Sequence, residues 1–353
     1  MNNLMKNCNH SWSRAEWFNP VSATNAPPRW FAFAAILAGL FLATHGLGAE
    51  TNQATDRVWN PVPDDVFLQE VGQKIPTTQP ATSVAVHNGR VFVVAGGIVK
   101  ELRDGALLDF VGAPIDVKRL RSLGGALWAA TSKDTHRFVT GGWQKVSDQP
   151  FKDFCLHHGQ VFGATRNDVF RWESETFVNI RPKGGFLSNN TTLITEDGSQ
   201  ILPDPVEIGP VERIASYSGT LYIMQPRELG LLAGEVFIPE PIDWGRLPGT
   251  VARDMVASGS RLHFATDRGL GVLRGMAMTT LNGSAGLPYE DATCLAKGFD
   301  GDLWIGTTQG AIRKTGDEYH FFGADHWLPG DHVRDIAVGD RVVYVATDAV
   351  FYF

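Results

Sequence analysis

The strongest constraint on this chain is an internal repeat of about 40 residues. Residues 286–313 read GLPYEDATCLAKGFDGDLWIGTTQGAIR, and residues 247–273 and 328–350 follow the same plan. In each, a Leu-Pro pair is followed, seven residues after the proline, by an apolar position: Met255, Leu295 and Ile336. A Gly-containing turn and a short apolar strand ending in Thr come next. Weaker copies of the turn and strand occur as GRVFVVAG (89–96), GALWAAT (125–131), GQVFGAT (159–165) and GTLYIM (219–224). The central aromatic or His position is then Phe92, Trp128, Phe162, Tyr222, His263, Trp304 and Tyr344, at spacings of 36, 34, 60, 41, 41 and 40. A proline opens each unit: Pro76, Pro114, Pro150, Pro210, Pro248, Pro288 and Pro329.

A unit of this length has room for four short strands, the content of one propeller blade. The expected fold is therefore all-β: a seven-bladed β-propeller of four-stranded antiparallel blades. The last unit stops at Phe353 one strand short. Residues 64–76, DDVFLQEVGQKIP, match the aromatic strand and Leu-Pro ending of residues 317–329. The N-terminal strand is expected to complete the last blade and so remove the open sheet edges of an unclosed array. The long third spacing leaves room for a degenerate eighth unit, and it holds an insertion around 183–208.

The segment 286–313, with its Gly-Leu-Pro, its DGDLWIGT hairpin and the following QGAIR, resembles the two-component-regulator propeller repeat. The resemblance is good over the last three units and loose over the first four. It implies a β-propeller of the kind found in exported regions of bacterial sensor kinases and in secreted proteins that handle glycans. The matching residues are a fold signature and none is catalytic. Sensors of that family continue into a membrane span and a kinase. This chain ends at Phe353, so a signalling output is expected to need another protein.

The region before the repeat reads as an address. The uncharged run WFAFAAILAGLFL at 30–42 follows Arg29 and precedes small residues at Gly46, Gly48 and Ala49. That order is a secretory signal peptide, and the run is short for a membrane span. The expected division is a signal at 1–49 (an uncleaved anchor being the alternative), a linker at 50–63 and the propeller at 64–353. The protein is expected to be exported: periplasmic, extracellular or in the cell envelope, meeting a membrane only if the signal stays attached. Cys155 and Cys294 remain after cleavage, and their spacing carries no disulfide framework or zinc motif.

A net charge of −7 and the lack of a basic stripe exclude nucleic acid as a partner. No metal or nucleophile motif and no phosphate loop is present, and no cofactor is expected. Charge collects instead just before the apolar anchor of each blade's first strand: Lys118-Arg119, Lys152-Asp153, Glu212-Arg213, Arg253-Asp254 and Arg334-Asp335, with Thr82-Ser83 and Thr293-Cys294 in the other two units. In a propeller these positions gather at one mouth of the central channel, joined there by the loops carrying Lys133-Asp134, Arg166, Arg227, Asp267-Arg268 and Gln309. Two readings follow. The Arg and Asp pair with one another and staple the ring, or they bind a polar small molecule, a glycan or a protein. The candidate ligand-binding residues are Lys118, Lys152, Asp153, Arg213, Arg253, Asp254, Tyr289, His332, Arg334 and Asp335. Cations suit carboxylate or sulfate groups and an aromatic face suits a sugar ring.

The functional expectation is a non-enzymatic exported binding propeller, acting as a sensor or scaffold component. The alternative is a polysaccharide lyase on a uronate-containing glycan. There Arg253 or Arg334 would neutralise the carboxylate, and His332 or Tyr289 would take the proton. His263 reads as a core histidine and His157-His158 as a surface pair on the opposite face.

Overall fold

The computed structural model describes residues 72–181, 183–184, 193–194, 200–201, 208–226, 228–234, 236–238, 247–275, 277–324 and 326–352. The expected signal segment (1–49), the expected linker (50–63) and residues 64–71 of the expected closing segment at 64–76 lie outside the described residues, as does Arg227. Among the described residues there is no α-helix, only a one-turn 3-10 element at Gly283–Ala285, and no helix is long and apolar enough to cross a membrane.

The chain forms a β-propeller. The expectation of seven blades of four antiparallel strands is corrected: among the described residues six sheets have that form. They span 81–109, 117–147, 153–179, 252–281, 292–322 and, in the closing blade, Asp335–Val338, Val343–Ala346, Val350–Tyr352 and Gln73–Ile75. Between the third and fourth of these in chain order lies a mixed sheet of five strands. Lys183–Gly184, from the 183–208 segment, runs parallel along Val236–Ile238, which ends the antiparallel run from Arg213–Tyr217. The two outer strands exchange backbone bonds there, and that edge is no longer a free template for another chain. Within the same segment Leu193–Ile194 pairs antiparallel with Gln200–Ile201. In the closing blade Gln73 faces Tyr352 and Ile75 faces Val350, so the two ends of the ring meet in one sheet.

Burial explains the pattern of the repeat. The second strand of each blade is apolar on both faces because both face neighbouring blades: Ala126–Thr131 and Leu303–Thr307 are buried at every residue. Outermost strands such as Ala106–Asp109 are largely exposed. The repeat's aromatic position forms the packing between blades. Trp128 is 1% exposed and stacks on Phe154 of the next blade, with Trp172 and Phe177 against its edges. Such burial is worth roughly 2–3 kcal/mol per large side chain. The Asn88-Gly89 turn has both residues at positive φ (51° and 71°), the backbone a two-residue hairpin between right-twisted strands requires.

Where the second strand ends in Thr, that residue organises the mouth loop. Thr266 Oγ1 donates to the Gly269 carbonyl (2.8 Å) and accepts from Arg268 N (3.1 Å). Thr307 makes the same pair with Gly310 and Gln309. Gly269 and Gly310 are obligatory, since a Cβ on either would lie 2.4 Å from the carbonyl of Leu281 or Phe322. Loops held this way place their tips rigidly over the channel mouth.

Candidate functional site

The seven inner strands present one residue each, just before the apolar anchor, to the channel: Ser83, Arg119, Asp153, Arg213, Asp254, Cys294 and Asp335. Of the expected site residues, this throat brings together Asp153, Arg213, Asp254 and Asp335. Arg119 Nε lies 2.9 Å from Asp153 Oδ1, and its Nη2 reaches across the channel to Asp254 Oδ1 at 3.4 Å. Arg213 Nε donates to the same Asp254 oxygen at 3.0 Å. Arg121, two residues along the strand from Arg119 and hence on the same face, comes within 3.6 Å of both Asp153 and Asp335. Three guanidinium groups thus meet three carboxylates.

The Oδ2 oxygen of each carboxylate clasps the next sheet. Asp153 Oδ2 accepts from Ile214 N (3.2 Å), Asp254 Oδ2 from Leu295 N (2.8 Å), and Asp335 Oδ2 from Val84 N (3.1 Å) and Ser83 Oγ (2.7 Å). Ser83 Oγ in turn accepts from Leu120 N at 3.1 Å. Each bond ties the inner edge of one sheet to its neighbour, satisfying an amide that the ladder leaves open.

The throat's electrostatics follow from its burial. Desolvation raises the Asp335 carboxyl to about 6 even against Arg119 and the Ser83 hydroxyl, and Asp254 adds to the rise. Asp153 is also pushed up by burial, against Arg119 and Arg213. Burial alone would lower Arg119, but Asp153, Asp254 and Asp335 outweigh it and hold the guanidinium firmly charged. The channel holds a cavity of about 440 Å³ that Arg119, Arg121, Asp153 and Asp254 help to line, the rest of its wall being mostly apolar, including Val86, Leu123, Leu156, Met255 and Ala337.

The remaining expected residues point to the rim. Lys118 pairs with Asp116 (2.6 Å), Lys152 with Glu212 (3.7 Å) and Arg334 with Asp348 (3.0 Å). Arg253 pairs with Asp291 and also donates to the Ala292 carbonyl at 2.9 Å. His332 is exposed, and its carbonyl accepts from Arg334 Nη1 at 3.5 Å. Tyr289 packs on Phe321, with ring centroids 5.0 Å apart, and belongs to an interblade core. The structure does not bring Tyr289, His332, Arg253 and Arg334 into one cavity.

It does open a groove on the mouth between the 117–147 and 153–179 blades, about 610 Å³ in volume. Five of its lining residues are basic: Lys118, Arg119, Lys152, Arg166 and Arg213. Its one acidic residue, Asp168, accepts from Asn179 Nδ2 at 3.1 Å. The carboxylates that pair with the lysines, Asp116 and Glu212, do not line it. Among the described residues the Arg166 side chain has no carboxylate partner, and it stands exposed on the Thr165–Asp168 turn, held by Asp168 N to Thr165 Oγ1 (3.2 Å). Pro150 and the ring of Phe151 complete the wall. An anion entering here meets an excess of donors in fixed loops, with an apolar strip beside them.

Arg166 lay among the loop residues expected at this mouth, but its lack of a counter-charge has no mark in the sequence. Arg121 does have one: it sits two positions after Arg119 in an alternating strand. No group of three or more His, Cys, Asp or Glu positioned to hold a metal occurs among the described residues. Cys155 and Cys294 are both buried free thiols, pushed well up by desolvation.

No protein-family profile matches this chain, and no curated protein matches its sequence. Solved structures do match. Catalytically inactive virginiamycin B lyase from Staphylococcus aureus, crystallised with quinupristin, aligns over 80% of this chain and 98% of its own at 14% identity, with a TM-score of 0.57. Extracellular domains of two hybrid two-component systems from B. thetaiotaomicron align over 80% of this chain. Identities are 14% and 11%, and TM-scores 0.60 and 0.58. The chain spans about two fifths of those longer proteins, 41% and 39%. At such identities the likeness concerns the fold: this chain shares the propeller of two-component-system extracellular domains and of virginiamycin B lyase.

Proposed function

We propose that this protein is a non-catalytic exported binding propeller that takes an anionic glycan, carboxylated or sulfated, in the groove between the 117–147 and 153–179 blades. The observation that carries this reading is the excess of cations lining the groove, with Arg166 lacking a carboxylate partner. Lys118, Lys152 and Arg166 would meet the anionic groups, and the strip at Pro150 and Phe151 a sugar ring. Arg119 and Arg213 form the floor, already oriented by the throat carboxylates. The resemblance to exported sensor propellers, and the extracellular domains among the structural matches, support a place outside the cytoplasm. There the chain would act as a sensor or scaffold component.

The elimination reading draws less support from the geometry. Arg253 and Arg334, the cations it needs, are engaged by Asp291 and Asp348. Tyr289 is packed against Phe321.

Isothermal titration of the protein with oligouronates, sulfated oligosaccharides and neutral oligosaccharides tests the proposal. Binding of one anionic class, weakened at least tenfold in K118A/R166A, is expected. Equal binding of neutral sugars, or anion binding indifferent to K118A/R166A, overturns it. A rise in ultraviolet absorbance from an unsaturated product on uronate polymers would replace it with the lyase reading.

A further inference from the structure

On the face opposite the mouth, four blades place charges on their second or third strands and neutralise them. In the 81–109 blade, Phe92 faces Glu101 across the ladder, with Arg90 two residues before and Arg103 two residues after that pair. Both arginines close on the buried Glu101, Arg103 Nε donating to Oε2 at 2.6 Å. At the same register the 117–147 blade has Arg137, paired with Glu175 at 2.6 Å, and the 153–179 blade has Arg171, paired with Glu173. In the 292–322 blade Arg313 donates to the buried Asp302 at 2.6 Å.

The 252–281 blade breaks the rule. His263 faces Val272, and Arg261 and Arg274 stand where Arg90 and Arg103 stand in the first blade, flanking a valine in place of the glutamate. Among the described residues neither arginine has a carboxylate within ion-pair distance. Both line a cavity of about 300 Å³ with Lys314 of the next blade, His263 and the turn glycines Gly259, Gly301 and Gly316; no acidic residue lines it. Lys314 Nζ donates to the Gly316 carbonyl at the cavity's edge and lies over the Tyr319 ring, and among the described residues its one carboxylate neighbour is the fully exposed Asp317, at 3.9 Å.

His263 is 7% exposed, and its Nδ1 is buried with no hydrogen-bond partner. Burial, with Arg261 and Lys314 nearby, lowers the imidazole to about 4, so it is neutral at physiological pH. The two turns that carry the arginines are tied by one hydroxyl: Tyr217 Oη donates to the Ser260 carbonyl (2.7 Å) and accepts from Gly275 N (3.2 Å).

The geometry points to a second anion site here, in which Arg261, Arg274 and Lys314 hold a tetrahedral oxyanion, the phosphate or sulfate group of a larger ligand, in the place Glu101 fills in the first blade. Three cations converging from two turns and a neighbouring blade suit a group with oxygens in several directions. The site is independent of the mouth groove.

The test titrates the whole protein with inorganic phosphate, sulfate and acetate at constant ionic strength, by calorimetry and by the ring resonances of His263. Saturable binding of phosphate or sulfate is expected, and the tighter of the two identifies the ester. The bound charge should raise the titration midpoint of His263. R261A/R274A should weaken binding at least tenfold, and K118A/R166A should leave it unchanged. Val272→Glu, which supplies the missing carboxylate, should abolish binding while keeping or raising the melting temperature. Acetate binding as tight as either ion, binding that survives both R261A/R274A and V272E, or no saturable binding at all overturns the site.

Discussion

The throat and the rim groove share one mouth and are built from adjacent residues, yet they handle charge in opposite ways. In the throat, Arg119, Arg121 and Arg213 face Asp153, Asp254 and Asp335, and little charge is left for a visitor. In the groove, one residue back along the chain, Lys118 and Lys152 stand beside Arg166, and their partners lie off its wall. The difference teaches that a dipeptide such as Lys152-Asp153 carries two roles. Asp153 opens its strand into the channel while Lys152, just before that strand, stays on the rim, and Arg119 and Lys118 divide in the same way across a β-bulge. Buried, the first must be paired; hydrated, the second need not be.

The comparison predicts large stability effects in the throat and small ones on the rim. The largest is Asp254→Ala, which strips Arg119 and Arg213 of a carboxylate and Leu295 N of its acceptor. Removing one partner of a buried ionic network costs roughly 3–5 kcal/mol, and urea unfolding should show that loss. A change below 1 kcal/mol would break the claim that the throat staples the ring.

Next comes a pH effect. The Asp335 carboxyl is raised in the folded state from an ordinary 3.8 to about 6. The folded protein therefore binds that proton more tightly than the unfolded chain does. Stability from this group is greatest below the unfolded value, declines as pH rises between about 4 and 6, and is flat above. D335N should remove that decline, on the order of 2 kcal/mol across the window, as read from denaturant curves at pH 4, 5, 6 and 7. A wild-type-minus-variant difference that stays constant over this range would contradict the burial account.

Smaller effects belong to the rim. Arg166→Ala should change stability by less than about 0.5 kcal/mol while weakening binding of an anionic oligosaccharide by about 1.5–3 kcal/mol, measured by calorimetry. Arg334→Ala, which breaks the half-exposed pair with Asp348 and a long contact to the His332 carbonyl, should change stability by no more than about 1 kcal/mol. Equal stability losses in R166A and D254A would erase the distinction between throat and rim.

Much of the fold was legible because a repeat imposes the same physical demand at each turn of the ring. Leu247, Leu287 and Leu328 of the Leu-Pro pairs are buried, and the terminal Thr266 and Thr307 hold the mouth turns. The blade count was misjudged at the long spacing between Phe162 and Tyr222. Two residues, Lys183 and Gly184, add a parallel edge strand, a pairing too short to leave periodicity in the chain. The site was legible in its residue types and its end of the ring, but not in its pairing. Asp254 lies 135 positions from Arg119 and 41 from Arg213, and only closure of the ring sets them against one carboxylate.

The sequence by itself determined that this chain makes a β-propeller and that one mouth carries Arg, Lys and Asp, because these follow from local periodicity repeated along the chain. The tertiary structure alone decided which of those charges neutralise one another and which stay available, at Arg166 on the mouth and at Arg261 and Arg274 on the opposite face. Charge pairing depends on distances of a few ångströms between distant sheets, and those distances exist only once the ring has closed.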